Sequence, residues 1–281
     1  MHAKGSAIYC QLWHPGRAGI VDAGGPSRTT QLFSASAIPI DEKSPVPKEM
    51  TEEDITDTIR DFAKAATNAV RAGFDGVEIH GANGYLLDQF TQNTSNHRTD
   101  AWGGNIENRA RFVVELTKAV VEAIGADKTA LRLSPFSPFQ AMLMEKDLLY
   151  PQFEYLLKQL KPLGLAFLHL VEPRISGNAD IDVDTGYDLG FFVKLWDNSS
   201  PIVLAGGFTA ESAAKAADET YRGYDVLIAF GRYYISNPDL VFRIKSALEF
   251  AKYDRASFYI PKSPKGYIDY PFSPEFLANA A

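Results

Sequence analysis

Short apolar runs alternate with longer segments of helical periodicity along most of this chain. Residues 7–13 (AIYCQLW) form the first strand-like run. Further runs lie at 76–79, 130–133, 167–171, 202–205 and 226–230, each short and rich in Val, Ile, Leu and Phe. Between them stand amphipathic segments. Thr51 suits an N-cap, with Asp54 three residues on and Glu52 and Glu53 in the first turn. Ile55, Ile59, Phe62, Ala66, Ala69 and Val70 then recur at helical spacing until Gly73. Helices are predicted over 106–124, 150–163, 189–196, 210–218 and 238–251, the first two closed by Gly125 and Gly164. Residues 14–49 lack periodicity and are rich in Pro, Gly and Ser, which predicts a long loop with a small hairpin near 32–38. A second long polar loop is expected from His80 to about Asn105.

Six strand-then-helix units imply a parallel sheet whose outer face helices cover. A doubly wound sheet would carry a glycine-rich fingerprint after its first strand. No G-x-G-x-x-G is present. A (β/α)8 barrel places its phosphate site after its last two strands, and Gly206-Gly207 and Gly231-Arg232 stand there. The expected fold class is therefore α/β, of the (β/α)8 TIM barrel family, with about six units. No linker or repeat divides residues 1–281, so one domain is expected.

Composition narrows the function. The chain has 281 residues, 46% of them hydrophobic, enough to fill a core. A net charge of -7 leaves no basic surplus for phosphodiester backbones, so no nucleic-acid partner is expected. The single Cys10 excludes an internal disulfide and a thiolate zinc site. No apolar run reaches the ~18 residues of a membrane span, and MHAKGSAIYCQLW lacks a signal-peptide layout. A cytoplasmic protein without a membrane partner is expected.

The candidate chemistry gathers just past the strand at 76–79. His80, Asn83 and Tyr85 leave the carboxyl end of that strand within six residues, where a barrel keeps its reacting groups. His and Asn three apart can donate to one oxygen and so stabilise an enolate-like charge, and the Tyr85 phenol can deliver a proton. Arg132 interrupts the apolar strand ALRLS, and Gln11 interrupts AIYCQLW. Each suits either a structural network or a ligand contact, because a charge in a strand must be paired. Gly206, Gly207 and Gly231 allow backbone N–H groups close to an anion, and Arg232 adds a forked charge. His169, in AFLHLVEP, suits core packing or a contact at the barrel mouth. His80 and His97 lie far apart and have no metal-ligand spacing with carboxylates, His14 is in a loop, and residues 52–54 suit a helix first turn, so no metal is expected. G-x-S-x-G, P-loop and H-E-x-x-H motifs are absent.

HGANGYLLDQF followed by SNHRTDAWGGNIENRARF resembles the Old Yellow Enzyme family of flavin-dependent ene-reductases, with wording closest to its fungal branch. The resemblance continues through LRLSP, LHLVEPR, LAGGF, GRYYISNPDL and KYDRASFY to GYIDYP. It implies FMN held without a covalent bond, NADPH as hydride donor, and an enone or enal as substrate. It implies that Gln11 and Arg132 contact the pyrimidine end of the flavin, and that Gly206, Gly207, Gly231 and Arg232 hold the phosphate. It makes His80 and Asn83 the carbonyl donors and Tyr85 the proton source. It implies that Trp13, Phe139 and Tyr259 shape the pocket above the flavin. In that family the Gln-bearing strand is the third of eight, so the first two βα units are expected to be missing here. The alternatives left open are a longer protein, an inactive remnant, and an open sheet with weak flavin affinity.

Overall fold

Strand β1 (Tyr9–Leu12) opens the regular structure of a computed structural model that describes residues 1–21, 31–173 and 186–280. Strands β2 (Phe33–Ser34) and β3 (Lys48–Glu49) are short and pair in parallel, so the expected hairpin near 32–38 does not form. The buried Arg98 explains the pairing. Its Nη1 donates to the carbonyls of Ala35 and Met50, just beyond each strand, and holds the two segments side by side. Helix α1 (Glu52–Arg71) starts on the predicted Thr51–Asp54 capping box and is followed by Gly73 at φ 100°.

The alternation then proceeds as β4 (Gly76–Gly81), α2 (Leu86–Thr91), α3 (Ile106–Ile124), β5 (Thr129–Leu133), α4 (Lys146–Leu160), β6 (Phe167–Val171), α5 (Gly190–Trp196), β7 (Ile202–Ala205), α6 (Ala210–Lys215) and β8 (Val226–Ala229). The short helices α7 (Arg232–Ser236), α8 (Leu240–Lys245) and α9 (Pro274–Ala280) follow. Three expectations change. The loop after β4 contains α2, whose Asp88 and Gln89 are buried and hydrogen-bonded rather than solvated. The helix predicted over 210–218 widens into a π turn at Ala216–Thr220. The helix predicted over 238–251 shortens to α8, Leu240–Lys245, and a separate short helix, α7, ends before Asn237-Pro238. Proline cannot donate in a helix, and the Asn237 side chain bonds Ala251 across the gap.

The main sheet is six-stranded and parallel, in the order β1-β4-β5-β6-β7-β8. Consecutive βα units laid side by side in this order are those of a TIM-barrel-like α/β fold. Among the described residues β1 and β8 each have one neighbour in this sheet. The two faces differ because side chains alternate along each strand. Val77, Ile79, Leu131, Leu133, Leu168, Leu170, Ile202 and Leu204 are all buried in the same core as the apolar sides of α1, α3 and α4. Each contributes about 1.5–3 kcal/mol of hydrophobic stabilisation. The intervening residues, Glu78, His80, Arg132 and His169, occupy the other face. No described helix is long and apolar enough to cross a membrane.

Candidate active site

The sheet register assembles the polar face. Gln11 pairs with Glu78, His80 with Arg132, and Arg132 with His169 across four adjacent strands. Farther along the sheet the same row becomes apolar, with Val203 and Leu227. The candidate residues on β1, β4, β5 and β6 are thus brought together by pairing alone, with no loop required.

The turn after β4 forms the carbonyl end. His80 is buried, and its Nδ1 accepts the Ala82 N–H at 3.2 Å. Burial, reinforced by the Arg132 charge, pushes the imidazole down to about 4. The neutral ring therefore carries its proton on Nε2, the nitrogen left for a ligand. Asn83 sits at φ 56°, the left-handed region that Asn tolerates better than most residues. Its N–H donates to Ser134 Oγ (2.7 Å), its carbonyl accepts from Gln140 Nε2 (2.9 Å), and its side-chain amide has no partner among the described residues. The Tyr85 ring stands edge-on to His80 (5.0 Å) and to Trp13 (5.2 Å). Burial raises the phenol above its ordinary value, with Gln140 acting against the shift and Tyr259 adding to it. Tyr85 keeps its proton at neutral pH. Tyr259 is largely exposed, and the Phe139 carbonyl packs against Gly84.

Beneath this turn lies a buried scaffold that sequence reasoning missed. Gln89 spends its whole amide there. Its Oε1 accepts from Arg17 N–H (3.1 Å) and Ser34 Oγ (3.0 Å), and its Nε2 donates to the carbonyls of Pro15 (3.1 Å) and Gly84 (2.7 Å). Asp88 accepts the Gly84 N–H and the Gln92 amide, and its full burial raises the carboxyl to about 6. Leu86 N–H donates to the carbonyl of His14, next to Trp13, so the ends of β1 and β4 are tied together. Gly84 is required as glycine: at φ 72°, a Cβ would lie 2.8 Å from Gln140 Cβ. In sequence, Asp88 and Gln89 read as ordinary loop polars. Their positions i+4 and i+5 from Gly84 were the available signal.

Gln11, Arg132 and His169 each present a polar atom on the sheet face. Gln11 Nε2 donates to Glu78 Oε1 (2.6 Å), which leaves the Gln11 carbonyl as an acceptor. Arg132 Nε is buried without a hydrogen-bond partner among the described residues, and burial lowers the guanidinium's pKa while Glu78 opposes the shift. His169 Nδ1 lies 2.6 Å from Glu78 Oε2, and its Nε2 is buried with no partner among the described residues. An acceptor beside a cation suits the imide edge of a flavin, whose N–H lies between two carbonyls. Glu78 was not singled out in sequence, although its spacing of two from His80 places both on one face.

The phosphate candidates follow β7 and β8, which are neighbours with Ala205 opposite Ala229. Gly206 (φ 151°) and Gly207 (φ 64°) both take conformations that favour glycine, and a Cβ on Gly206 would lie 2.4 Å from Glu172 Cβ. Gly231 is exposed at φ -102° and would have open space around an added Cβ. It caps α7, whose first residue is Arg232. Two adjacent glycine turns with a nearby guanidinium fit a phosphate. Arg174, the last residue of LHLVEPR, lies outside the described residues.

Comparison with known proteins agrees with this geometry. Residues 1–250 match the model of the NADH:flavin oxidoreductase / NADH oxidase family. A chanoclavine-I aldehyde reductase, fgaOx3, from Penicillium roqueforti (strain FM164) is 52% identical over 98% of this chain and 74% of its own. A relative from Epichloe festucae var. lolii named probable inactive reductase easA is 47% identical over 99% of this chain and 74% of its own. The crystal structure of Old Yellow Enzyme from Pichia sp. AKU4542 superposes with a TM-score of 0.85 at 35% identity, covering 97% of this chain and 71% of that one.

Proposed function

The chain belongs to the NADH:flavin oxidoreductase / NADH oxidase family, in its Old Yellow Enzyme group, and we propose that it reduces the C=C bond of α,β-unsaturated carbonyl compounds with FMN and NADPH. The observation that carries this reading is a neutral His80, protonated on Nε2, three residues from an Asn83 whose side-chain amide has no partner among the described residues. Both groups donate without a charge of their own, as a carbonyl oxygen gaining negative charge requires. Gln11 and Arg132 hold the pyrimidine end of FMN, and Gly206, Gly207, Gly231 and Arg232 hold its phosphate. FMN, when bound, supplies hydride taken from NADPH. His80 and Asn83 would donate to the substrate carbonyl oxygen and fix its orientation. Tyr85, held protonated by burial, gives its proton to the α carbon. Trp13, Phe139 and Tyr259 wall the substrate.

The test is a pair of single-turnover measurements on purified, FMN-loaded protein without oxygen. NADPH should bleach the flavin, and 2-cyclohexenone should restore its colour. Tyr85→Phe should slow the second step by roughly 10²–10⁴-fold, the usual worth of a positioned acid, and leave the first unchanged. A reduced flavin that enones do not reoxidise would overturn the reading. That outcome would favour a second one, a family member that has lost the reaction, which the name of the easA relative supports.

A further inference from the structure

Glu78 is a buried carboxylate with two grips. One oxygen accepts from Gln11 Nε2 and the other faces His169 Nδ1, both at 2.6 Å. Gln11 stands on β1, Glu78 on β4 and His169 on β6, so the carboxylate bridges across the sheet face rather than along one strand. None of the roles assigned above uses it. A buried carboxylate is costly unless it is paired and hydrogen-bonded, as Glu78 is by Gln11 and His169, and a core needing only packing would place an aliphatic side chain here.

The two contacts have a consequence for direction. A carboxylate only accepts. Gln11 must therefore turn its NH2 toward Glu78 and its carbonyl oxygen away. His169, pulled toward the neutral state by burial, must place its one proton on Nδ1, which leaves Nε2 as a lone pair. His80, two residues from Glu78, is the opposite case: its Nδ1 accepts from the backbone and its proton is on Nε2. Two histidines on one sheet face thus carry opposite tautomers, each set by the group behind it. Arg132 lies between them in the register and feels the Glu78 charge.

We propose that Glu78 is a positioning residue for the flavin: gripped by Gln11 and His169, it turns the Gln11 carbonyl toward the pyrimidine end and counterbalances Arg132 there. This rests on the flavin reading above. Removing the carboxylate charge frees the Gln11 amide to flip and leaves Arg132 unopposed. The first effect weakens binding. The second favours the electron-rich reduced flavin, because an uncompensated cation attracts it more strongly.

The experiment compares wild type with Glu78→Gln, an isostere without the charge. FMN affinity, followed by flavin fluorescence, should fall about tenfold, the order of one lost hydrogen bond to a charged or oriented partner. The midpoint potential of the bound flavin should become more positive. A residue that merely packs would alter stability and leave the potential in place. Equal potentials in the two proteins would overturn the proposal while leaving the flavin reading intact. Wild type that takes up no FMN would overturn both. Should Glu78→Gln not fold, the wild type alone decides. Nitrogen NMR of labelled histidines should show His169 protonated at Nδ1 and His80 at Nε2, and a His169 proton on Nε2 would overturn the proposal.

Discussion

The carbonyl end of the site and its phosphate end are built by different means. At the carbonyl end, β4 is buried along its whole length, and the turn that follows is tied down by Ser134, Gln140, Asp88 and Gln89. At the phosphate end, β8 has no buried residue, Leu227 is 53% exposed, and the turns consist of glycines whose conformations need no side chain. The first end is held in shape by the protein's own hydrogen bonds. The second offers backbone amides and leaves the ligand to complete them. Substitutions at the carbonyl end should therefore be read first in folding stability, and those at the phosphate end first in FMN affinity.

The largest expected effect tests the rigid end. Gln89→Leu keeps the volume but abandons the Arg17 N–H, the Ser34 hydroxyl and the carbonyls of Pro15 and Gly84 in a buried place. Unsatisfied buried groups cost about 1–3 kcal/mol each, with relaxation recovering part. A loss of roughly 3–5 kcal/mol is expected, read as a lower urea midpoint at constant slope. A loss under about 1 kcal/mol would show that the scaffold is not what holds the turn. Gly206→Ala comes next. It strains a backbone at φ 151° and drives a methyl into Glu172, so a stability loss of about 1–2 kcal/mol is expected, with weaker FMN binding.

The same contrast explains what could be read from sequence. The strands at Phe167–Val171 and Ile202–Ala205 and the helix at Ile106–Ile124 fall where periodicity puts them, because each has one apolar side and a clear stop. Gln11 and Arg132 stood out because polar groups interrupt apolar runs, and the register then places them on one face. Glu78, Asp88 and Gln89 did not stand out. Glu78 and Gln89 depend on partners from β1, β6 and the loop after β1, and no local pattern records contacts across 67 to 91 residues; the partners of Asp88, Gly84 and Gln92, are each four residues away. The parallel pairing of β2 with β3 was hidden for the same reason, since Arg98 lies far from both. The start expected at Pro238 lies two residues before α8, whereas the early end of that helix at Lys245, with Ala247 at φ 52°, was hidden by the apolar periodicity beyond it.

A smaller effect tests the open end. Gly231→Ala adds a methyl where nothing lies within 4 Å, at a φ that any residue adopts. Stability should change by less than about 0.5 kcal/mol, as at other unconstrained surface sites. FMN affinity should nevertheless fall, because the methyl stands where the backbone would approach the phosphate. A stability loss as large as that of Gln89→Leu would erase the distinction between the two ends.

The subtlest test separates stability from binding within the carbonyl end itself. His80 titrates near 4 in the folded protein and near its ordinary value when unfolded. Between those values the unfolded chain binds a proton that the folded chain refuses, so this group's contribution is complete above the unfolded pKa and shrinks as pH falls toward 4. Asp88 works in the other sense. Its carboxyl, raised to about 6, favours the folded state at low pH and loses that contribution as pH rises through 6. Replacing Asp88 with Asn removes the opposing term and should expose the His80 slope in denaturation midpoints measured from pH 7 to pH 4.5. Affinity for cyclohexenone, read from the spectrum of the oxidised, FMN-loaded protein, should stay level over the same range, because His80 remains the same neutral donor throughout. An inflection in affinity near 6.5 would mean that His80 titrates as an exposed histidine does, and that the turn is no more rigid than the glycine end it has been contrasted with.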